Sequence, residues 1–138
     1  MVSPGVTHPR EIFGVTRVLL APSVWEEPSG RVASEALFNG VPPIVSDRGG
    51  LPEECRGAGV VLPLPETLTV KTREPVSPEA VQPWIEAAVR FVDDESYYQA
   101  ACEQAREAGK AYQLDRLQSE YVAFFRSVLE GRGRPLNS

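Results

Sequence analysis

Residues 18–62 read VLLAPSVWEEPSGRVASEALFNGVPPIVSDRGGLPEECRGAGVVL, and this stretch decides the architecture. It opens on Val18-Leu19-Leu20, a short apolar run stopped by Ala21-Pro22-Ser23. A run of that length bounded by turn residues reads as a buried strand. Ser29-Gly30 then precedes Arg31 to Asn39, and Gly40 follows, which are the usual start and stop signals of a helix. Pro42-Pro43-Ile44-Val45-Ser46 reads as a second strand, with Pro43 at its first residue because proline brings no ladder donor. Asp47-Arg48-Gly49-Gly50 is a loop, Leu51 to Arg56 a short helix with Pro52 near its first position, and Gly59 to Pro63 a third strand. Strands alternating with helices at this spacing predict a parallel sheet in an α/β architecture. The expected fold is a partial Rossmann-like domain: a short parallel sheet of about three strands, flanking helices and a C-terminal helical segment.

On either side of residues 15–63, which form the expected α/β core, the patterns change. Residues 1–14 are rich in Pro and Gly and are expected to be disordered or loosely docked. Residues 64–77 carry prolines without periodicity and read as a loop. Residues 78–130 read as helices. Val81, Trp84, Ile85, Ala88 and Val92 form one apolar stripe; Tyr97, Ala101, Ala105, Ala108 and Tyr112 form a second. Leu114, Leu117, Tyr121, Phe124 and Val128 recur by threes and fours, a narrow seam suited to docking on a partner surface. That last helix is expected either to fold back on the small sheet or to meet a separate partner. The whole chain, 1–138, reads as one domain.

The formal net charge of −5 argues against a nucleic-acid surface, whose footprint is a basic patch. No run approaches the ~18 apolar residues of a membrane span, and the N-terminal segment has no apolar signal core. Cys55 and Cys102 have no metal or redox spacing and read as packing residues of a reduced, cytoplasmic protein, one that could sit peripherally at a membrane through a partner. His8, the single histidine, lies in the N-terminal tail with no orienting partner in view.

In doubly wound sheets ligands bind beyond the carboxyl ends of the strands. The loops 23–30 and 47–52 both follow strands, so both fall at that end. A helix starting after Ser29-Gly30 presents free N–H groups and the positive end of its dipole, a phosphate site. Gly30 allows close approach of a ligand to the backbone, and Gly49-Gly50 does the same in the second loop. Glu27 lies before the helix and Glu35 inside it, seven residues between them. A carboxylate accepts hydrogen bonds only, and a vicinal diol offers two donors, so Glu35, further along the helix, suits a ribose; Glu27, in the loop before it, can reach the sugar side of the phosphates. Plainer readings exist: carboxylates suit the first turns of any helix, Arg31 and Arg48 suit a solvated surface as well as a phosphate, and Glu53 suits a helix dipole.

Residues 18–62 resemble the donor-binding centre of family 4 retaining glycosyltransferases with the GT-B fold. The matching words are Ala21-Pro22-Ser23, the Glu27–Glu35 pair, Gly30, Glu35-Ala36-Leu37, Asn39-Gly40-Val41-Pro42 and Ser46-Asp47-Arg48-Gly49-Gly50-Leu51-Pro52-Glu53. The helical remainder is similar to that family's closing helices. The resemblance implies transfer of a sugar from a nucleotide-diphosphate sugar to an acceptor, with retention at the anomeric carbon. It implies that Glu27 contacts the donor sugar and is the candidate catalytic group, and that Glu35 holds the ribose hydroxyls. The backbone of Ser29, Gly30, Arg31 and Val32 would face the diphosphate, with Gly49 and Gly50 as further contacts. No metal and no cofactor beyond the donor substrate are implied. The chain departs from the family in having no acceptor domain and none of the first donor-domain strands, whose basic pair grips the diphosphate. Three readings follow: an incomplete enzyme not active alone, one subunit of a split glycosyltransferase joined through the Leu114–Val128 seam, or a non-catalytic interaction module that could pair as a homodimer through the same seam.

Overall fold

The central strand of the sheet, Pro43–Ser46, is buried at every residue, and the rest of the fold is arranged around it. The structure, a computed structural model, describes residues 9–131. In chain order the elements are α1 (Pro9–Phe13), β1 (Leu19–Ala21), α2 (Arg31–Phe38), β2 (Pro43–Ser46), α3 (Leu51–Cys55), β3 (Val60–Leu62), α4 (Pro78–Asp93), α5 (Glu95–Gly109), a 3₁₀ turn (Lys110–Tyr112) and α6 (Leu114–Leu129). The sheet order is β1-β2-β3, with both pairs parallel; Leu20 lies beside Ile44, and Ile44 beside Val60. The expected α/β fold and its three-stranded parallel sheet are therefore observed. Pro43 opens β2, as expected of a residue without an N–H. Gly59 enters β3 at φ +78°, and a Cβ there would run into the Pro43 carbonyl oxygen, so this crossing requires glycine.

Side chains of β2 alternate between two faces, as any strand's must. Val45 faces α2 and α3, packing with Ala33, Leu51 and Cys55, all fully buried, and with Ala21. Ile44 faces the opposite layer, with Trp84 and Phe91 from α4 and Ala101 from α5. A third cluster, Leu37, Ala58 and Ala105 with Ala108 and Tyr112, fixes α5 against α2. The stripe Tyr97, Ala101, Ala105, Ala108, Tyr112 thus faces the core along its length. Small side chains there let the backbones approach closely: a Cβ built on Gly109 would lie 3.0 Å from Phe38 Cα. Each of the two helices carries its own start signal. The Ser77 hydroxyl accepts the Ala80 N–H at 3.4 Å, and Asp94 Oδ1 accepts the Tyr97 N–H at 2.9 Å.

Two expectations for the helices change. In α4 the buried side chains are Trp84 and Phe91, whereas Val81, Ile85 and Val92 are exposed. Residues Val81 and Ile85 overhang β1, where the sheet ends and Leu20 is itself half exposed, so a three-stranded sheet is too narrow to cover them. In α6 no residue is buried, and Leu114, Tyr121, Phe124 and Val128 are all exposed. The helix does not fold back on the sheet; it packs on the 3₁₀ turn before it. Before the sheet, residues 9–13 form the short α1 inside the segment expected to be loose, and residues 1–8, including His8, lie outside the described residues. Arg17 ties the approach to β1 to the α4–α5 junction. Its Nε donates to the Phe91 carbonyl at 2.7 Å, its Nη2 to Glu95 at 2.6 Å, and its guanidinium lies 3.7 Å from the Tyr98 ring centroid. No helix among the described residues is long and apolar enough to cross a membrane.

Candidate functional site

The carboxyl ends of β1 and β2 deliver two loops, residues 22–30 and 47–50, to the same edge of the sheet. The fully buried Ser46 at the end of β2 sends its hydroxyl to the Ser23 carbonyl at 2.7 Å, which fixes the root of the first loop to the second. Further out, the Gly50 N–H donates to the Glu27 carbonyl at 2.7 Å, and the Gly49 N–H to the Glu26 carboxylate at 2.7 Å. A Cβ on Gly49 would strike the Glu27 backbone, and one on Gly50 would lie 2.8 Å from the Pro28 carbonyl oxygen. These two glycines are thus required by loop-on-loop packing, and their N–H groups have internal acceptors.

Helix α2 starts from Gly30, which sits at φ 62°, ψ 38° with no side-chain cap. The sequence suggests Ser29 as the start signal, but the left-handed Gly30 occupies the capping position and leaves the Ser29 side chain exposed without a capping bond. Gly30 packs on Leu51, whose Cδ2 would be 2.9 Å from an added Cβ, so α2 and α3 begin side by side. The Gly30 carbonyl accepts the Ala33 N–H at 2.9 Å. Among the described residues the N–H groups of Arg31 and Val32 have no acceptor, as expected for the first turn of a helix. No acidic residue lies in that first turn.

Around this open helix end the two glutamates differ. Glu27 is half-buried in the loop that leads to it. Glu35 is on α2, about 6 Å along the axis from Arg31 at 1.5 Å per residue. It has Arg31 Nη2 at 3.5 Å, an exposed pair one turn apart, with side-chain exposures of 82% for Arg31 and 48% for Glu35. Both charges are therefore on the surface, and such a pair contributes at most a few tenths of a kcal/mol. Glu53 is exposed in the first turn of α3.

Arg48 is the partly buried cation of the cluster, with 20% of its side chain exposed. Its Nη2 donates to the Pro65 carbonyl at 3.0 Å and the Leu64 carbonyl at 3.3 Å. Nη1 lies 3.7 Å from a Glu26 oxygen, and Nε 3.8 Å from Asp47 Oδ1. Asp47 Oδ1 is itself occupied by the Leu64 N–H at 3.1 Å. Glu26 is the site residue that sequence reasoning missed. It has no periodic signature, and its one available signal is its position beside Glu27, facing a glycine loop that only the fold brings near.

Elsewhere, Cys55 is fully buried at the end of α3, and burial, with a smaller push from Glu54, raises its thiol to about 11. It is a packing residue without nucleophilic character. Nearby, the Tyr112 hydroxyl donates to the Glu54 carbonyl at 2.8 Å and accepts from Arg56 Nε at 3.1 Å. On the opposite face of the sheet an apolar cavity of about 470 Å³ lies between Leu20, Pro22, Val24 and the α4 side chains Val81, Trp84 and Ile85. It contains none of the charged groups described above. Among the described residues no group of three or more His, Cys, Asp or Glu side chains could hold a metal ion. No protein-family model matches the chain, and neither does any curated protein or solved structure.

Proposed function

We propose that this chain is the donor-binding part of a retaining glycosyltransferase and holds a nucleotide-diphosphate sugar across the α2 start. The observation that carries the reading is the uncapped helix end at Gly30, with Glu27 before it and Glu35 one turn beyond. Free Arg31 and Val32 N–H groups and the helix dipole suit the diphosphate. Glu35 suits the ribose diol, and Glu27 the sugar. Arg31, on the same exposed turn, can exchange Glu35 for phosphate because its present pair is long and solvated.

Residues 9–131 supply the donor side only in this reading, so donor binding by these residues is weak and transfer also needs an acceptor-binding part. A second reading is one subunit of a split enzyme, with the acceptor-binding chain seated on Leu114, Leu117, Tyr121, Phe124 and Val128; it is supported by α6 having no buried residue. A cytoplasmic location agrees with two free, buried cysteines. Titrating the chain with UDP, GDP and ADP sugars tests the donor reading. The expected dissociation constant is weaker than about 0.1 mM, about −5.5 kcal/mol, with shifts at the Gly30, Arg31 and Val32 amides. Replacing Glu35 by Gln should weaken nucleotide binding while leaving free sugar without effect. Unmoved α2 amides at saturating nucleotide would reject donor binding, and sub-micromolar affinity would reject the view that the pocket is incomplete.

A further inference from the structure

The loop cluster sets two donors around one carboxylate, the Gly49 N–H in a hydrogen bond and Arg48 Nη1 at ion-pair distance, and the carboxylate is far more exposed than the arginine. Arg48 is mostly buried and anchored by the Leu64 and Pro65 carbonyls. Its Nε is buried without a hydrogen-bond partner, so the chain does not fully satisfy this cation. The Gly49 N–H is fixed because its residue packs against the Glu27 backbone. Glu26 provides one oxygen to the Gly49 N–H at 2.7 Å and has the other 3.7 Å from Arg48 Nη1, yet its side chain is 68% exposed. The donors are held by the fold; the acceptor is held by little except the donors.

We propose that Arg48 and the Gly49 N–H form a phosphate-binding notch that the chain's own Glu26 carboxylate plugs, so that a phosphate-bearing ligand enters by displacing Glu26. This rests on the donor-site reading above and adds a self-limiting step to it. A phosphate group presents oxygens to the same two donors and carries more charge than a carboxylate. Glu26 can leave without unfolding anything, because an exposed carboxylate exchanges its partners for water at small cost. While Glu26 is seated, an incoming anion finds the notch only in the fraction of molecules where it has left, and apparent affinity falls by that fraction. The site also accounts for the doubled glutamate: Glu27 contributes its carbonyl to Gly50 and keeps its carboxylate for ligand, whereas Glu26 spends its carboxylate on Gly49. Asp47 is the other acid facing Arg48, and it is retained by the Leu64 N–H when Glu26 leaves.

The test uses the full chain, labelled with ¹⁵N, and inorganic pyrophosphate as the probe. Glu26→Gln, which keeps the shape and removes the charge, and Glu26→Ala should each bind pyrophosphate about two- to six-fold more tightly than the unmodified chain, the range expected when an exposed, weakly seated carboxylate is removed from the notch. Adding Arg48→Gln to Glu26→Ala should abolish that gain. In the unmodified chain saturating pyrophosphate should move the Gly49 amide resonance. Equal affinity with and without the Glu26 charge would overturn the proposal, and so would a Gly49 amide that stays still at saturation. Pyrophosphate has neither ribose nor sugar, so the result is blind to Glu35. A Glu26 effect on pyrophosphate without any nucleotide-sugar binding would refute the donor reading and leave the notch; Glu35-dependent nucleotide binding without a Glu26 effect would do the reverse.

Discussion

Gly109→Ala should destabilise the fold, although the substitution favours a helix. Gly109 is the last residue of α5 and has φ −61°, a helical value that alanine adopts readily. By intrinsic propensity the change would add up to about 1 kcal/mol in a helix interior, and less at a helix end. Packing opposes it. A Cβ there would lie 2.8 Å from the Leu37 carbonyl carbon and 3.0 Å from Phe38 Cα, and still closer to the Leu37 carbonyl oxygen. These are backbone atoms of α2 and cannot rotate aside, and Leu37 is fully buried. Overpacking of this kind costs about 1–3 kcal/mol, so the net destabilisation should be about 1–2 kcal/mol. With a urea slope of about 1–3 kcal/mol/M for a small protein, the midpoint should fall by about 0.5–1.5 M at unchanged slope. Ala100→Gly, on the exposed side of the same helix, isolates the propensity term and should cost about 1 kcal/mol. Opposite substitutions would then both destabilise, which propensity alone forbids. A midpoint for Gly109→Ala equal to or above that of the unmodified chain would refute the close α2–α5 contact.

Two further outcomes follow from the ionisable groups. Arg17, and secondarily Gln99, hold the Glu95 carboxyl below its ordinary value, so this contact stabilises the fold above the unfolded carboxylate range near pH ~4.3 and loses its contribution as pH falls through the lower folded value. The stability gap between the unmodified chain and Arg17→Gln should therefore be full at pH 7 and should narrow below about pH 4 in paired urea titrations; a gap that widens in acid would contradict the assignment. Cys55, its thiol raised to about 11, should resist iodoacetamide at pH 8 in the folded chain and react once unfolded in urea, and rapid native labelling at this residue would contradict its burial.

The sheet was legible because its punctuation is local. Pro22, Pro43 and Gly59 mark strand ends through backbone constraints that act within a residue or two. The facing of α5 was legible for a related reason: Tyr97, Ala101, Ala105 and Ala108 recur by threes and fours on one side, with Glu103, Gln104 and Glu107 on the other. Helix α4 gave no such contrast. Val81, Ile85 and Val92 are as apolar as Trp84 and Phe91, and the choice between them depends on the width of a sheet that no periodicity encodes. The loop cluster was half legible. Glu27, Gly30 and Glu35 stand out by spacing and by their place before a helix, but the bond between Glu26 and Gly49 joins residues 23 positions apart and exists only after the two strands are paired.

Helix α6 has no buried side chain, yet it is not mechanically free. Its strongest packing is on the turn Lys110–Tyr112, and Tyr112 reaches back by its hydroxyl to Glu54 and Arg56 at the end of α3. A helix of 16 residues is a lever about 24 Å long. A load on its far end reaches that turn, which passes it to α2 and α5 through the packed Tyr112 ring and to a five-residue helix, α3, through the Tyr112 hydroxyl; the other end of α3 adjoins the Gly49-Gly50 loop. Tyr112 is thus one pin of a joint, the one that couples a pull on α6 to α3 and the loop before it.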